Sequence, residues 1–277
     1  MTDTLTARAL AFRQFHTDPG CFVIPNPWDA GSARLLARMG FKALASTGAG
    51  HAFSRGLTDG AVGREGMLAH LREMAAATDL PLSADLENGF GAAPETVANT
   101  LRLAATTGIV GGSIEDSSGN RAAPLYPLAL AADRIRAAVE AARNLPFPFT
   151  LTARAENYFI GQPDLADTIR RLQAYQDAGA DVLFAPGLRT REDIAAVVSS
   201  VDRPVNVLMG MEGVRLTVAD LEALGVKRIS VGGSFARAAY GAFLRAATEI
   251  QEHGSFRYAD DAISGRDITR LLRPPTG

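Results

Sequence analysis

The sequence predicts an α/β chain folded as a single (β/α)8 barrel of TIM type over residues 1–277, with extra helices at its C-terminal end. Three observations lead there. Eight short runs rich in Val, Ile, Leu, Phe and Ala recur along the chain, and amphipathic segments of helical length lie between them. Strands covered by helices on both faces read as such nearly continuous apolar runs. One text also recurs: Met39-Gly40-Phe41-Lys42-Ala43, Ala178-Gly179-Ala180-Asp181-Val182 and Leu224-Gly225-Val226-Lys227-Arg228 each read as a helix end, a glycine turn and a strand start. Strands alternating with helices pair in parallel through right-handed crossovers, and eight such units close a barrel of about 250 residues. The alternative, an open doubly wound sheet, expects a Gly-rich fingerprint after its first strand. This chain has Pro25-Asn26-Pro27-Trp28-Asp29 there.

In order along the chain, residues 2–16 read as a helix capping the barrel bottom, and the strand runs follow at 21–26, 43–47, 81–87, 111–116, 149–155, 181–187, 204–209 and 228–233. Helical spacing of apolar residues marks 30–39, 63–77, 93–107, 130–144, 164–178, 191–199 and 218–224. Several of these open on a cap or a proline, as with Pro94, Thr190 and Thr217, and several close on a glycine, as with Gly40, Gly108, Gly179 and Gly225. Beyond the last strand, residues 234–251 and 263–272 read as helices of an extension covering 234–277.

The bulk numbers narrow the partners. Hydrophobic residues make up 47% and charged residues 21%, with 28 basic against 30 acidic side chains, a globular profile. Nothing marks a nucleic-acid footprint or a membrane patch, and no apolar stretch reaches the length of a membrane span. The single cysteine, Cys21, excludes an internal disulfide and fits a reducing cytoplasm. It reads as a small buried hydrophobe rather than a reactive thiol.

Barrel active sites lie at the C-terminal strand ends, so the chemistry is sought there. Asp85 and Glu87 are two apart on a strand and are expected on one face. Two inward carboxylates repel unless a proton or a cation lies between them. With Glu115 from the next strand they form an oxygen set suited to Mg²⁺, with Mn²⁺ as the alternate ion and Zn²⁺ disfavoured because no His or Cys joins them. The competing reading is a rim of ion pairs with Arg154. That arginine at a strand end needs an anion, either a substrate carboxylate held bidentately or Glu156 or Glu115. Thr47-Gly48-Ala49-Gly50 is a turn whose N–H groups could cradle a carboxylate. Asn206, on the seventh strand, is counted with the substrate-binding residues. The Gly232-Gly233 pair leaves a phosphate site open. His16, His70 and His253 are expected at the surface, and His51 is a candidate at the site.

These residues resemble the isocitrate lyase/phosphoenolpyruvate mutase superfamily over about residues 22–248. Asp85-Leu86-Glu87-Asn88-Gly89-Phe90-Gly91 is similar to its metal motif, Ile114-Glu115-Asp116 to its fourth-strand motif, and Ala153-Arg154 to its fifth. Asn26-Pro27-Trp28-Asp29-Ala30 and Gly56-Leu57-Thr58-Asp59 match two further segments. The resemblance implies an Mg²⁺-bound 2-oxo acid or its enolate. It makes Asp85 the metal ligand, with Asp59, Glu87 and Glu115 holding its waters. Thr47, Gly48 and Ala49 would bind the substrate carboxylate and Arg154 the developing oxyanion. It also implies a homo-oligomer, a dimer or tetramer, in which the C-terminal helices swap between subunits.

Two departures bear on the reaction. Glu87 stands where the family has aspartate. The loop 117–126 has no cysteine or histidine where the lyases carry their catalytic acid. A proton donor is then sought among Ser117, Ser118, Tyr126, His51 and a metal-bound water, with Tyr126 and water preferred, and the loop is expected to act as the gate. The expected function is an Mg²⁺-dependent carbon–carbon lyase acting on a small 2-hydroxy or 2-oxo acid. The alternatives are a phosphonate mutase or hydrolase, a non-catalytic 2-oxo-acid binder and, more remotely, a sugar-phosphate enzyme.

Overall fold

The computed structural model describes residues 4–273. Eight parallel strands run as β1 Phe22–Ile24, β2 Leu44–Ala45, β3 Leu82–Asp85, β4 Gly111–Glu115, β5 Thr150–Arg154, β6 Val182–Phe184, β7 Val205–Leu208 and β8 Arg228–Ser230. Their ladder order is β1-β8-β7-β6-β5-β4-β3-β2. The remaining gap, between β1 and β2, is bridged by the Ala45 N–H donating to the Pro25 carbonyl at 3.1 Å. The sheet is thus a nearly closed barrel, as expected.

Helices surround it: α1 Thr4–Phe15, α2 Ala30–Arg38, α3 Gly48–Ser54, α4 Gly63–Ala77, α5 Pro94–Ala105, α6 Leu128–Arg143, α7 Leu165–Asp177, α8 Arg191–Ser199, α9 Val218–Ala223, α10 Ser234–His253 and α11 Gly265–Leu272. Caps lie where their chemistry predicts. Asp29 and Thr217 form capping boxes, and Thr190 caps Asp193. Among the described residues no helix is long and apolar enough to cross a membrane.

The bottom of the barrel is closed by α1. Phe12 is fully buried, and a Cβ on Gly111, the first residue of β4, would lie 2.8 Å from its ring. The glycine therefore makes room for the aromatic plug. His16 follows one turn later and is buried at 6% exposure, so the expected surface placement is corrected. Its Nδ1 donates to the Phe12 carbonyl, which leaves Nε2 to accept from Arg228 at 3.3 Å. Burial, then the charge of Arg228, lower its pKa to about 3, so it stays neutral. His70 is corrected likewise. It is buried at 3% exposure and stacks on His51, ring centroids 3.7 Å apart, because α4 turns this side chain toward α3.

The strands are shorter than the apolar runs suggest, and two differences matter for function. The run 81–87 ends as strand at Asp85, so Glu87 lies beyond it with φ +49°. Its direction is set by a left-handed turn and not by strand alternation. The turn at 47–50 is the start of α3, capped by the Thr47 side chain accepting from the Gly50 N–H. Two glycines in four residues argue against a helix by propensity. Tertiary packing overrides this, since a Cβ at Gly50 would lie 2.9 Å from Trp28 Cβ.

Candidate functional site

Each principal side chain of the site stands at or just after a strand end. Asp85 closes β3, Glu115 closes β4 and Arg154 closes β5, with Glu115 beside Arg154 in register. The Arg154 guanidinium is the hub. It lies 3.1 Å from Asp85 Oδ1, 3.2 Å from Glu115 Oε2 and 2.9 Å from Glu156 Oε1. Its lower face rests near the Phe184 ring, 5.2 Å from the centroid. Burial works against its charge, but Glu156, Glu115 and Asp85 outweigh burial and keep it protonated. The anion that the sequence demands for Arg154 is therefore supplied first by the protein itself.

The second centre is the Asp85–Glu87 turn. Asp85 Oδ2 accepts from the Gly48 N–H at 3.0 Å, and its own N–H donates to Ser46 Oγ at 2.8 Å. Glu87 packs against Gly48, where a Cβ would come within 3.0 Å of Glu87 Oε1. That oxygen is buried and has no hydrogen-bond partner. Burial, then Asp85, then Asp59, raise the Glu87 carboxyl to about 7. Asp59 stays on the solvent side, and its carboxyl is raised by desolvation and next by Asp85. Burial likewise drives Glu115 well above the usual carboxylate range, with Arg154 opposing and Glu156, Asp85 and Glu87 adding to it. The positive φ values of Glu87 and Phe90 mark a backbone held outside its preferred region, as functional turns often are.

Among the described residues no three His, Cys, Asp or Glu side chains close round a point as in a metal cage, because Arg154 stands between Asp85 and Glu115. The direct convergence of three carboxylates is corrected in that respect. Mg²⁺ needs no such cage, since it takes one or two carboxylates and keeps several waters. The residues fit such an ion on their own evidence. Asp85, Glu115 and Glu156 share the Arg154 guanidinium, Asp59 and Glu87 feel the same charge from further off, and a buried oxygen of Glu87 is left over for a proton or a cation.

Of the other expected residues, Gly48 meets the site directly through Asp85, and it lies between Thr47 and Ala49 at the start of α3. Thr47 caps α3 and the Gly48 N–H holds Asp85, so the Ala49 N–H is the first-turn donor facing no helical acceptor. Asn206 is drawn into the barrel interior. Its Oδ1 accepts from Arg228 Nε and its Nδ2 donates to Ser230 Oγ, both at 2.9 Å. Tyr126 belongs to the hydrophobic core, with the Arg134 guanidinium 4.0 Å over its ring. His51 lies on α3 with its ring buried against His70, and its pKa is lowered chiefly by burial. The loop after β4 is a small hairpin bridged at Ser117 and Leu125 and tied by the Ser118 N–H to the Pro124 carbonyl. Cys21 is partly buried, and burial followed by Glu222 raises its thiol, which makes it unreactive.

Sequence reasoning missed the layer behind the site. Asp116 Oδ1 accepts from the Glu156 N–H at 2.9 Å, while Asp116 Oδ2 accepts from Arg171 at 3.0 Å and Tyr175 at 2.5 Å. A signal existed in the spacing. Thr168, Arg171, Leu172 and Tyr175 are the buried residues of α7 and follow the helical period.

Known proteins share the sequence and the fold of this chain. The profile of the phosphoenolpyruvate phosphomutase family matches residues 12–251. A solved structure from Burkholderia cenocepacia, provisionally described as a lyase/mutase, is 59% identical, with a TM-score of 0.97 over 99% of both chains. The 2-methylisocitrate lyase of Bacillus subtilis is 28% identical over 255 residues, covering 88% of this chain and 82% of its own. The oxaloacetate decarboxylase of Bradyrhizobium diazoefficiens is 29% identical over 207 residues, covering 72% and 70%.

Proposed function

This chain belongs to the phosphoenolpyruvate phosphomutase family, and from that premise we propose that it is a lyase cleaving a carbon–carbon bond of a small 2-oxo or 2-hydroxy acid with the help of Mg²⁺ or Mn²⁺. The observation that carries this reading is the acid-rich mouth around one guanidinium, with a buried, unpartnered Glu87 oxygen. Such a site is short of positive charge, and a divalent cation restores the balance while leaving room for an anionic substrate.

Asp85 would hold the ion, with Glu87, Glu115 and Asp59 bonding its water shell. When bound, the ion supplies Lewis acidity to the 2-oxo group. The chain's own groups do the rest. The Ala49 N–H and the positive end of α3 bind the substrate carboxylate. Arg154, already charged and packed on Phe184, faces the oxygen on which negative charge develops. The hairpin carries no cysteine or histidine to protonate a leaving group, and its one phenol, Tyr126, is packed in the core. This favours, within the lyase reading, a 2-oxo diacid that loses its distal carboxylate as carbon dioxide. The bond to that carboxylate breaks, its electron pair stays beside the 2-oxo group as the enolate, and a proton later returns to that carbon. Assembly as a dimer or tetramer through the extension at 234–277, and a place in the cytoplasm, belong to the same proposal.

The test is product formation by the purified chain from oxaloacetate, 2-methylisocitrate and 2,3-dimethylmalate, with Mg²⁺ or with EDTA. Turnover of a carbon–carbon substrate that EDTA abolishes and oxalate inhibits is expected. Conversion of phosphonopyruvate alone would establish the mutase alternative. Stabilisation by 2-oxo acids without any product would establish a binding protein.

A further inference from the structure

The layer behind the site is a connected circuit. Asp116 follows Glu115 directly on the chain, and its Oδ1 takes the backbone N–H of Glu156, the residue whose carboxylate holds Arg154 at 2.9 Å. Its Oδ2 receives Arg171 Nη1 at 3.0 Å and the Tyr175 hydroxyl at 2.5 Å. The same Arg171 Nη1 donates to the Tyr126 carbonyl at 3.0 Å, where the hairpin returns to the barrel, and the Tyr126 N–H donates to the Asp116 carbonyl at 2.9 Å. Arg171 Nε bonds Asp167 Oδ2 at 2.6 Å, and that oxygen also takes the Asn157 side-chain amide at 2.8 Å. One side chain on α7 therefore ties the end of β4, the end of the hairpin and the segment after β5.

We propose that Arg171 is a positioning residue for the chemistry: acting through Asp116 and Glu156, it sets where the Arg154 guanidinium stands between Asp85 and Glu115. Asp116 is buried at 2% exposure, and a buried carboxylate needs all its lone pairs satisfied or it moves toward another donor. Without Arg171 the nearest remaining donors are the Glu156 N–H and Tyr175. Asp116 then shifts toward one of them, and the Glu156 backbone moves with it. Arg154 is gripped by Glu156 through Nε and Nη2, so that shift is passed on as a rotation of its fork. The same contacts tie the end of the hairpin at Tyr126 to α7 and to the end of β4.

This inference rests on the lyase reading only for its kinetic arm. Arg171→Lys keeps the charge and loses the fork, Arg171→Met loses both, and Arg170→Ala, on the exposed side of Asp167, is the control. Three readouts apply to each: kcat and KM on the substrate found for the wild type, oxalate affinity by calorimetry in Mg²⁺, and the Arg154 Nε–H resonance in ¹⁵N-labelled protein. For Arg171→Lys we expect kcat to fall roughly 10- to 100-fold, in line with other residues that orient a site's ligands, with KM moving far less, and the Arg154 resonance to shift or broaden. Arg170→Ala should match the wild type throughout. If Arg171→Met fails to fold, Arg171→Lys and Tyr175→Phe carry the test. An Arg154 resonance unmoved in folded Arg171 variants overturns the inference, whatever the substrate proves to be. A lowered melting temperature with wild-type kcat and oxalate affinity would also overturn it, by making Arg171 purely structural. Absence of turnover in the wild type would count against the lyase reading alone, and the resonance and oxalate arms would still decide on Arg171.

Discussion

Gly48→Ala separates the fold from the site in a single substitution. The added Cβ would lie 3.0 Å from Glu87 Oε1, 3.5 Å from Glu87 Cγ and 3.4 Å from Asp85 Oδ2. Gly48 has no left-handed φ, so alanine fits the backbone. It is also the first residue of α3, where alanine gains up to about 1 kcal/mol of helix propensity. Against this stands overpacking, which costs about 1–3 kcal/mol when the neighbours cannot yield. Here the closest neighbour is the far end of a flexible side chain whose oxygen has no hydrogen bond to lose. The cost is therefore relieved by a shift of a few tenths of an ångström. Net stability should stay within about 1 kcal/mol, or roughly 2–4 °C in melting temperature for a chain of this size. The displaced carboxylate is one of those assigned to the cation's water shell. Mg²⁺ affinity should accordingly weaken roughly tenfold or more. Calorimetric titration with Mg²⁺ and Mn²⁺, beside a melting curve in EDTA, reads both quantities. Unchanged cation affinity in a stably folded variant would refute the assignment of Glu87. A collapse in stability would refute the premise that Glu87 can yield.

Three further outcomes are expected. Asp85→Ala should abolish cation binding and turnover while the barrel persists; wild-type Mg²⁺ affinity in that variant would remove Asp85 from the site. The Glu87 carboxyl is raised from about 4.5 to about 7 in the fold, so its contribution to stability is fully present below the unfolded value and is lost as pH climbs through about 7. Because a cation competes with that proton, the rise in melting temperature caused by Mg²⁺ should be larger at pH 8 than at pH 6, and equal shifts would point to a plain ion-pair network. Finally, α10 and the segment after it expose Phe243, Leu244, Phe256 and Ile263, and such residues mark an interface where they gather into a patch. Light scattering should give a dimer or tetramer, and Phe243→Glu with Leu244→Glu should shift it toward monomer; a monomeric wild type would exclude assembly through this face.

The sequence by itself determined the barrel and the address of its chemistry. Parallel strands buried on both faces must be continuously apolar, and helices between them must be amphipathic, so the periodicities carry the architecture. A polar residue closing such a run stands at the mouth, which is why Asp85, Glu115 and Arg154 could be named from position alone. Tertiary structure decided what those residues do to one another. Strand alternation could not foresee that β3 ends at Asp85 and that a left-handed Glu87 turns its oxygen against Gly48. Nor could it place Arg154 between two carboxylates expected to converge on a metal. Asn206 and Tyr126 read as site residues because they lie on a strand or in a loop near the site, but in the fold Asn206 is spent on Arg228 and Tyr126 on the core. The Asp116–Arg171–Tyr175 layer joins residues 55 and 59 positions apart, a separation over which no local pattern extends. Burial and pairing are properties of the closed barrel, and only its closure reveals which polar groups have found partners and which, like the Glu87 oxygen, have not.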